Sequence, residues 1–382
     1  MRIFFGIISV ILIVVVLWDG FETIVLPRRV MRRLRLTRLF YRYTWLPWSW
    51  LAHAASSGAR LDTILGFYGP LSLLLLICVW ASVLVFGFGL LHFALGSGLS
   101  TLDHTRGFAA DLYMSGTTFF TLGLGDVRPV FPSEKVITVI EAGMGFGFLA
   151  LVIAYLPALN QSFSRREASI SMLDARAGSP PSAVSMFQRH NHEGGMDELR
   201  TQLSLWERWS AELLESHLSY PVLAYYRSQH DNQSWLAALT VMLDTAAIAV
   251  AVLGGGCSRQ AELTFAMARH AAVDLAAVFN QPPRKPDRNR LDSEGFSRVR
   301  STLEAAGYEV AGDGEGPETR LRRLREFYEP YIYSLADHFC LSVPPWIGEA
   351  ARAADWETSR WDRGDPLVAD HLRDKWLNRG FR

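Results

Sequence analysis

The chain of 382 residues balances 38 Lys and Arg against 38 Asp and Glu, a formal net charge of zero, so bulk charge gives no argument for a nucleic-acid partner and none is expected. Cys78, Cys257 and Cys340 lie far apart and fit neither a disulfide framework nor a zinc spacing, which points to a reducing compartment for the soluble part. No cofactor is expected. Apolar residues make up 49%, but the long apolar runs fall in the first 160 residues and the remainder reads as a soluble protein.

Three segments reach the length of about 20 residues that a bilayer span requires. The first covers residues 3–26, with Asp19 and Glu22 near its end. Arg2 ahead of an apolar core also fits a signal peptide, yet no small-x-small cleavage site follows, only "WDGFETIVLPRR". Arg28, Arg29, Arg32, Arg33, Arg35, Arg38 and Arg42 come next, within fifteen residues, and short basic loops stay in the cytoplasm. This segment is read as an uncleaved helix with its N-terminus outside. Residues 27–66 form a basic, Trp-rich segment in which Trp45, Trp48 and Trp50 follow the arginines. Two readings stand side by side: a topology anchor, and a segment at the headgroup level that touches anionic lipid through 28–42.

The second span covers 67–95 and runs outward, and the third covers 136–159 and returns to a basic "SRRE" at 164–167. The connection 97–135 then faces outside, where a polar loop is expected. Instead it holds "GFAADLYMSGTTFFTLGLG", which is largely apolar or small. Asp103 can cap a helix that begins near His104 and runs to about 118, too short to span. A short apolar helix followed by a Gly-rich string fits a re-entrant loop, because irregular backbone at membrane depth is tolerated only inside protein or beside a wet cavity. In Thr121-Leu122-Gly123-Leu124-Gly125 the glycines take φ > 0 cheaply at alternate positions. That alternation turns successive carbonyls to one side, where they can replace the water shell of a monovalent cation. The C-terminal end of the short helix near Thr118 adds partial negative charge, and Asp126 closes the string.

The pattern Ser115-x-x-Thr118-x-x-Thr121-Leu122-Gly123-Leu124-Gly125-Asp126 between two spans resembles the pore signature of the potassium channel family, whose usual filter reads Thr-Val-Gly-Tyr-Gly-Asp. The resemblance covers outer helix 67–95, pore helix, filter 121–125 and inner helix 136–159, within a pore domain at 67–160. It implies that Thr121, Leu122, Gly123, Leu124 and Gly125 coordinate permeant potassium, with Ser115 and Thr118 behind them on the pore helix. One pore loop per chain implies a homotetramer. Gly145, nineteen residues after Asp126, resembles the family's hinge glycine and is flanked by Gly143 and Gly147; close packing through small residues is the other reading. Leu124 stands where an aromatic is usual, which removes a hydroxyl from the cuff around the filter; some two-pore-domain potassium channels are similar there. Phe119 and Phe120 stand where smaller residues or Thr are commoner, and Tyr113-Met114 replace an aromatic pair. Glu141 lies inside the third span, either paired with Arg128 behind the filter or packed with a bound water. Pro157 can kink the inner helix and leave Leu156 and Asn160 at the pore exit.

Residues 161–382 read as a mainly helical cytoplasmic domain broken by Pro/Gly-rich stretches. The apolar run 236–253, with Asp244 near its middle, is read as a buried helix in preference to a fourth span. His217, His230, Asp231, His270 and Asp274 offer a metal or effector site, against the reading as hydrogen-bonded polar residues of the core. The basic "NQPPRKPDRNR" at 280–290 reads as a solvated linker, with anionic lipid contact as the sharper alternative, and Trp206 and Trp209 read as core. The effector of this domain is unknown. The expectation is an all-α membrane protein, multi-pass in the inner cell membrane and not an enzyme: three transmembrane helices, a re-entrant pore loop and a helical domain with a regulatory or assembly role. The alternatives are a membrane-anchored sensor or enzyme working through 161–382, and a channel-like subunit that does not conduct.

Overall fold

The apolar start of the chain forms helix α1 (Arg2–Gly20), extended by one wider turn, Phe21–Val25. The computed structural model describes residues 1–26, 35–55, 59–96, 98–101, 107–229, 232–253, 257–285, 289–310 and 316–348. Arg28, Arg29, Arg32, Arg33, Asp103, His104, His230 and Asp231 therefore lie outside the described residues. The chain divides into two units: Met1–Phe163 with Leu218–Tyr226, and Ser164–His217 with the chain from Arg227 onward. The first unit thus runs to Phe163 and takes back Leu218–Tyr226 later in the chain.

In the first unit, α1 is followed by α2 (Leu36–Ala55), the long α3 (Ala59–Leu95), the short α4 (Phe108–Phe119) and α5 (Pro132–Ala177). Among the described residues, three helices are long and apolar enough to cross a membrane: Arg2–Val25, Arg60–Leu95 and Pro132–Ala177. Helix α5 runs well past the expected end at 159 and holds Pro157 in its interior. Strands β1 (Leu99–Thr101) and β2 (Val127–Pro129) pair antiparallel, Ser100 opposite Arg128, and frame the connection between α3 and α5. At three residues each they are too short for period-two alternation to reveal.

Ile13, Val16, Leu76, Trp80, Leu84, Phe88 and Phe119 form one core, joining α1, α3 and the end of α4. A polar knot fixes the start of α2. Buried Asp19 accepts hydrogen bonds from the Thr37 hydroxyl (2.5 Å), the Thr37 amide (3.1 Å) and Trp80 Nε1 (3.0 Å). It thereby caps, from a different helix, an amide that the first turn leaves unpaired. Glu22 accepts from Trp18 Nε1 at 2.7 Å and lies 3.5 Å from the Arg35 guanidinium, so Arg35 of the basic run is drawn inward to two carboxylates. The exposed face of α2 carries Tyr43, Leu46, Trp50 and Leu51, while Trp45 and Ala52 are buried.

The second unit holds the distal part of α5, α6 (Ala183–Arg189), most of α7 (Gly195–Ser219), α8 (Trp235–Ala251), α9 (Ser258–Val278), α10 (Ser293–Ala305), α11 (Gly316–Glu326) and α12 (Glu329–Phe339). Helix α8 is apolar all round, and 16 of its 17 residues are buried against the helices about it, α9 above all. That is the mark of a central core helix. Its Asp244 accepts from Arg290 Nη2 and from the Tyr328 hydroxyl, both at 2.5 Å. Burial pushes the Asp244 carboxyl up to about 6, with Arg290 opposing. Arg290 is therefore part of a buried network rather than a solvated linker, which corrects the reading of 280–290 at its C-terminal end. Arg284, earlier in that stretch, meets Asp337 at 2.7 Å on the surface. Trp206 and Trp209 pack edge to face in the core, ring centroids 4.7 Å apart.

Candidate functional site

Helix α4 ends at Phe119, and the chain then takes an unusual course. Thr121, Gly123 and Gly125 all have positive φ, at 57°, 56° and 74°. Left-handed backbone therefore alternates over five residues, and it includes a β-branched threonine, for which this region is a true outlier. The sequence suggests the alternation at the two glycines and misses it at Thr121, because the strain there is imposed by neighbours. The amide of Thr121 donates to Thr118 O (2.9 Å), and those of Leu122 and Gly123 donate to Thr117 O (2.8 and 3.4 Å). The amides thus point back to the end of α4 and satisfy carbonyls that a helix terminus leaves open. All five residues from Thr121 to Gly125 are exposed in the single chain. Leu122 and Leu124 are each 62% exposed, and Phe120 is exposed as well.

Two devices hold this string. At its far end the Tyr113 hydroxyl of α4 donates to Asp126 Oδ2 at 2.8 Å, and Asp126 Oδ1 accepts from the Val127 amide at 3.0 Å. Tyr113 therefore brings a hydroxyl to this rim although Leu124 has none. At the near end Phe119 is buried and packs on Phe148 of α5, ring centroids 5.8 Å apart. A Cβ on Gly145 would come within 1.9 Å of Phe119 O, so α5 touches the end of α4 backbone to backbone. Gly143 and Gly147 meet nothing within 4 Å of a Cβ position. The three glycines thus divide: Gly145 is required by close approach, and its neighbours are not. Leu156 packs beside the Leu73, Tyr155 and Leu159 cluster, while Asn160 and Pro157 are exposed.

Behind α4 lies a buried polar triad. Glu141 of α5 accepts from the Ser115 hydroxyl of α4 and lies 3.2 Å from His92 Nε2 of α3. Ser115 Oγ is also 2.7 Å from Val85 O. Glu141, Ser115 and His92 all have zero exposure. The proposed pairing of Glu141 with Arg128 is overturned: Arg128 lies exposed on β2, and His92 reaches Glu141 first because α3 and α5 flank α4 directly. His92 carries a signal the sequence reading passed over, a lone titratable residue inside an apolar span. Thr118 is half-buried on the same short helix. The start of α5 is fixed by buried Glu134, whose Oε1 accepts from the Gly98 amide at 2.8 Å.

The metal-site candidates in the second unit do not converge. His217 is buried, bonded through Nδ1 to Leu213 O (2.8 Å), with Nε2 3.4 Å from Arg166 Nη1. His270, largely exposed, pairs with the buried Asp274 one turn on at 3.2 Å. Among the described residues no group of three His, Cys, Asp or Glu is placed to hold a metal ion.

Comparison with known proteins bears on the same segment. A 206-residue stretch is 26% identical to "Uncharacterized membrane protein YdjJ" of Bacillus subtilis (strain 168), covering 51% of this chain and 57% of that protein. The chain thus spans little more than half the length of this relative. No solved structure matches. Residues 73–161, which hold most of α3, all of α4, the string and the membrane-length part of α5, match the family model described as ion channel.

Proposed function

We propose that four copies of this chain assemble around one axis and pass monovalent cations, potassium above all, through a filter built by residues 121–125. The observation that carries this reading is the alternation of positive φ at Thr121, Gly123 and Gly125 on an exposed string at the end of a short helix. With the first three amides bonded back toward α4, the carbonyls are left for an ion. The exposed string and the exposed apolar side chains of α5, among them Val136, Val139, Ile140 and Phe146, make a surface that neighbouring copies would cover. Ser115, Thr118, Glu141 and Asp126 support the filter from behind and from its rim, and Gly145 sets the contact of α5 with it. On this reading α4 and the string form a re-entrant loop open to the outside. The N-terminus faces outside, and the second unit is cytoplasmic in the inner membrane. The exposed aromatic face of α2 lies at the lipid surface, where the arginines of 28–42 other than the internally paired Arg35 meet anionic headgroups. Purified protein in liposomes tests this: potassium flux through intact tetramers is expected, with potassium favoured over sodium, and Gly123→Asp abolishes it. Absence of flux from intact wild-type tetramers would overturn the reading in favour of a non-conducting subunit.

A further inference from the structure

The chain leaves the first unit after Phe163 and returns to it more than fifty residues later as Leu218–Tyr226. This stretch forms a short turn of 3-10 helix, Pro221–Tyr225, whose Val222, Leu223 and Tyr225 are buried within the first unit. Its contacts reach three helices. Tyr225 stacks on Tyr41 of α2, ring centroids 5.4 Å apart and planes 10° from parallel, and meets Trp45 at 5.0 Å and Tyr68 of α3 at 5.2 Å. Tyr226 lies on α3 where Gly69 leaves room: a Cβ there would come within 2.6 Å of the Tyr226 ring. On the other side Tyr220 packs on Tyr155 of α5 at 5.3 Å, and Phe163 of α5 meets Tyr226 at 5.5 Å. Val222 and Leu223 fill the space among Leu73, Tyr155 and Leu159.

These contacts share one property. Residues 155–163, the last part of α5 within the first unit, lie roughly 15–27 Å beyond Gly145 along the helix axis, away from the string. The segment therefore bridges that part of α5 to the α2–α3 pair, while His217 and Arg227 on its two flanks belong to the second unit. Seven successive residues, 220–226, supply three aromatic rings and two buried aliphatic side chains, Val222 and Leu223, a density that marks a specific interface rather than a passing loop.

We propose that residues 218–226 are an intramolecular docking segment: their aromatic side chains seat in a cradle lined by Tyr41, Trp45, Tyr68, Gly69, Leu73 and Tyr155, and hold residues 155–163 of α5 in place. Both flanks continue into the second unit, as α5 itself does, so the cradle is a second point, besides the helix, through which that unit acts on residues 155–163. Its effect on conduction rests on the ion-channel reading above; the docking itself does not.

The test uses full-length tetramers in liposomes and the substitution Gly69→Val, which fills the place of the Tyr226 ring and leaves the filter, the triad and the second unit untouched. Amide hydrogen exchange is read over 155–163 and 218–226, and potassium flux and the potassium-to-sodium ratio are read on the same preparations. The expected result is faster exchange in both stretches and a roughly tenfold change in flux with the ion ratio unchanged, tenfold corresponding to about 1.4 kcal/mol. Tyr226→Ala on the Gly69→Val background should restore part of the protection, since the two changes act on one contact. Unchanged exchange would overturn the docking. Faster exchange with unchanged flux would overturn control of α5 and leave the segment as packing. If wild-type tetramers carry no flux, the channel reading fails, and the docking stands or falls on the exchange data alone.

Discussion

Replacing Glu141 probes whether the triad positions α4 or merely fills space. In Glu141→Ala, His92 Nε2 loses its carboxylate partner and Ser115 keeps only Val85 O. One buried polar group left without a partner costs about 1–3 kcal/mol. Hydrogen bonds between membrane helices average about 0.6 kcal/mol and reach about 1.7. With both bonds lost and no water able to reach groups of zero exposure, about 1–3 kcal/mol per protomer is expected. Glu141→Gln has nearly the same shape, keeps a carbonyl that accepts from His92, and presents an amide toward Ser115 Oγ, so its cost should stay below about 1 kcal/mol. On the proposed tetrameric channel reading, two assays read the difference: thermal dissociation of the detergent-solubilised assembly, and the potassium-to-sodium flux ratio in liposomes. Alanine should lower both and glutamine should restore both. Equal behaviour of the two variants, or an alanine variant that matches wild type in both assays, would refute a positioning role for the bond network.

Gly145→Ala should cost about 3 kcal/mol or more, because the clash is with the Phe119 backbone and neither helix can yield cheaply, whereas Gly143→Ala and Gly147→Ala should be neutral or gain up to about 1 kcal/mol of helix propensity; thermal melting of the three variants separates packing from a hinge, and loss of flux in a stable Gly143→Ala variant would favour the hinge. Asp19→Ala removes the acceptor of Thr37 and Trp80 and the partner of Arg35, so a loss of about 2 kcal/mol is expected, with the early part of α2 exchanging amide hydrogens first; an unchanged exchange map would count against the capping role. In the second unit, burial first and the nearby Arg166 second hold His217 down to about 3, well below its ordinary 6.5, and burial holds His338 down to about 4. The unfolded chain therefore binds more protons than the native one below 6.5, so stability is complete above that pH and falls as pH drops toward 3. His217 alone should cost about 2 kcal/mol between pH 6.5 and 5, seen as a falling melting temperature by tryptophan fluorescence. His217→Gln should flatten that slope, and an unchanged slope would show that the neutral ring is not what acid attacks.

The parts of the site that the sequence reveals are those written in local chemistry. Alternating glycines at 123 and 125, a short apolar helix and two flanking spans are all visible within one window, because backbone freedom and apolar length are properties of neighbouring residues. The three spans emerge for the same reason, and Leu36–Ala55 emerges as an aromatic segment beside them. What stays hidden depends on partners distant in the chain. Asp19 looks like a charge at the ragged end of a span until Thr37 and Trp80 arrive from two other helices. Arg290 looks like a solvated cation in a Pro-rich run until Asp244 of the central helix α8 meets it. Glu141 is recognisable as a carboxylate needing a partner, but choosing His92 over Arg128 requires knowing which helix flanks α4, and periodicity does not carry that.

Thr121 shows the same division within the string itself. A threonine has no intrinsic reason to adopt φ near 57°, and a strained non-glycine residue persists only where its surroundings over-determine it. Those surroundings are on either side. Thr118 O and Thr117 O draw the amides of Thr121 and Leu122 back, Phe119 is pinned between Phe148 and the backbone contact at Gly145, and Tyr113 holds Asp126 at the far end. The string is thus stretched between two fixed points on α4. On the proposed filter reading, that geometry bears on the absence of an aromatic at 124: the Tyr113 hydroxyl, bonded to Asp126, would hold the rim that a hydroxyl at 124 does not. On the tetrameric channel reading, Tyr113→Phe should therefore weaken ion discrimination more than assembly, with the potassium-to-sodium flux ratio falling several-fold while the assembly melts as wild type, a single solvent-exposed hydrogen bond contributing only about 1 kcal/mol. A variant with full discrimination would show that the string is held by neighbouring copies rather than by its own helix.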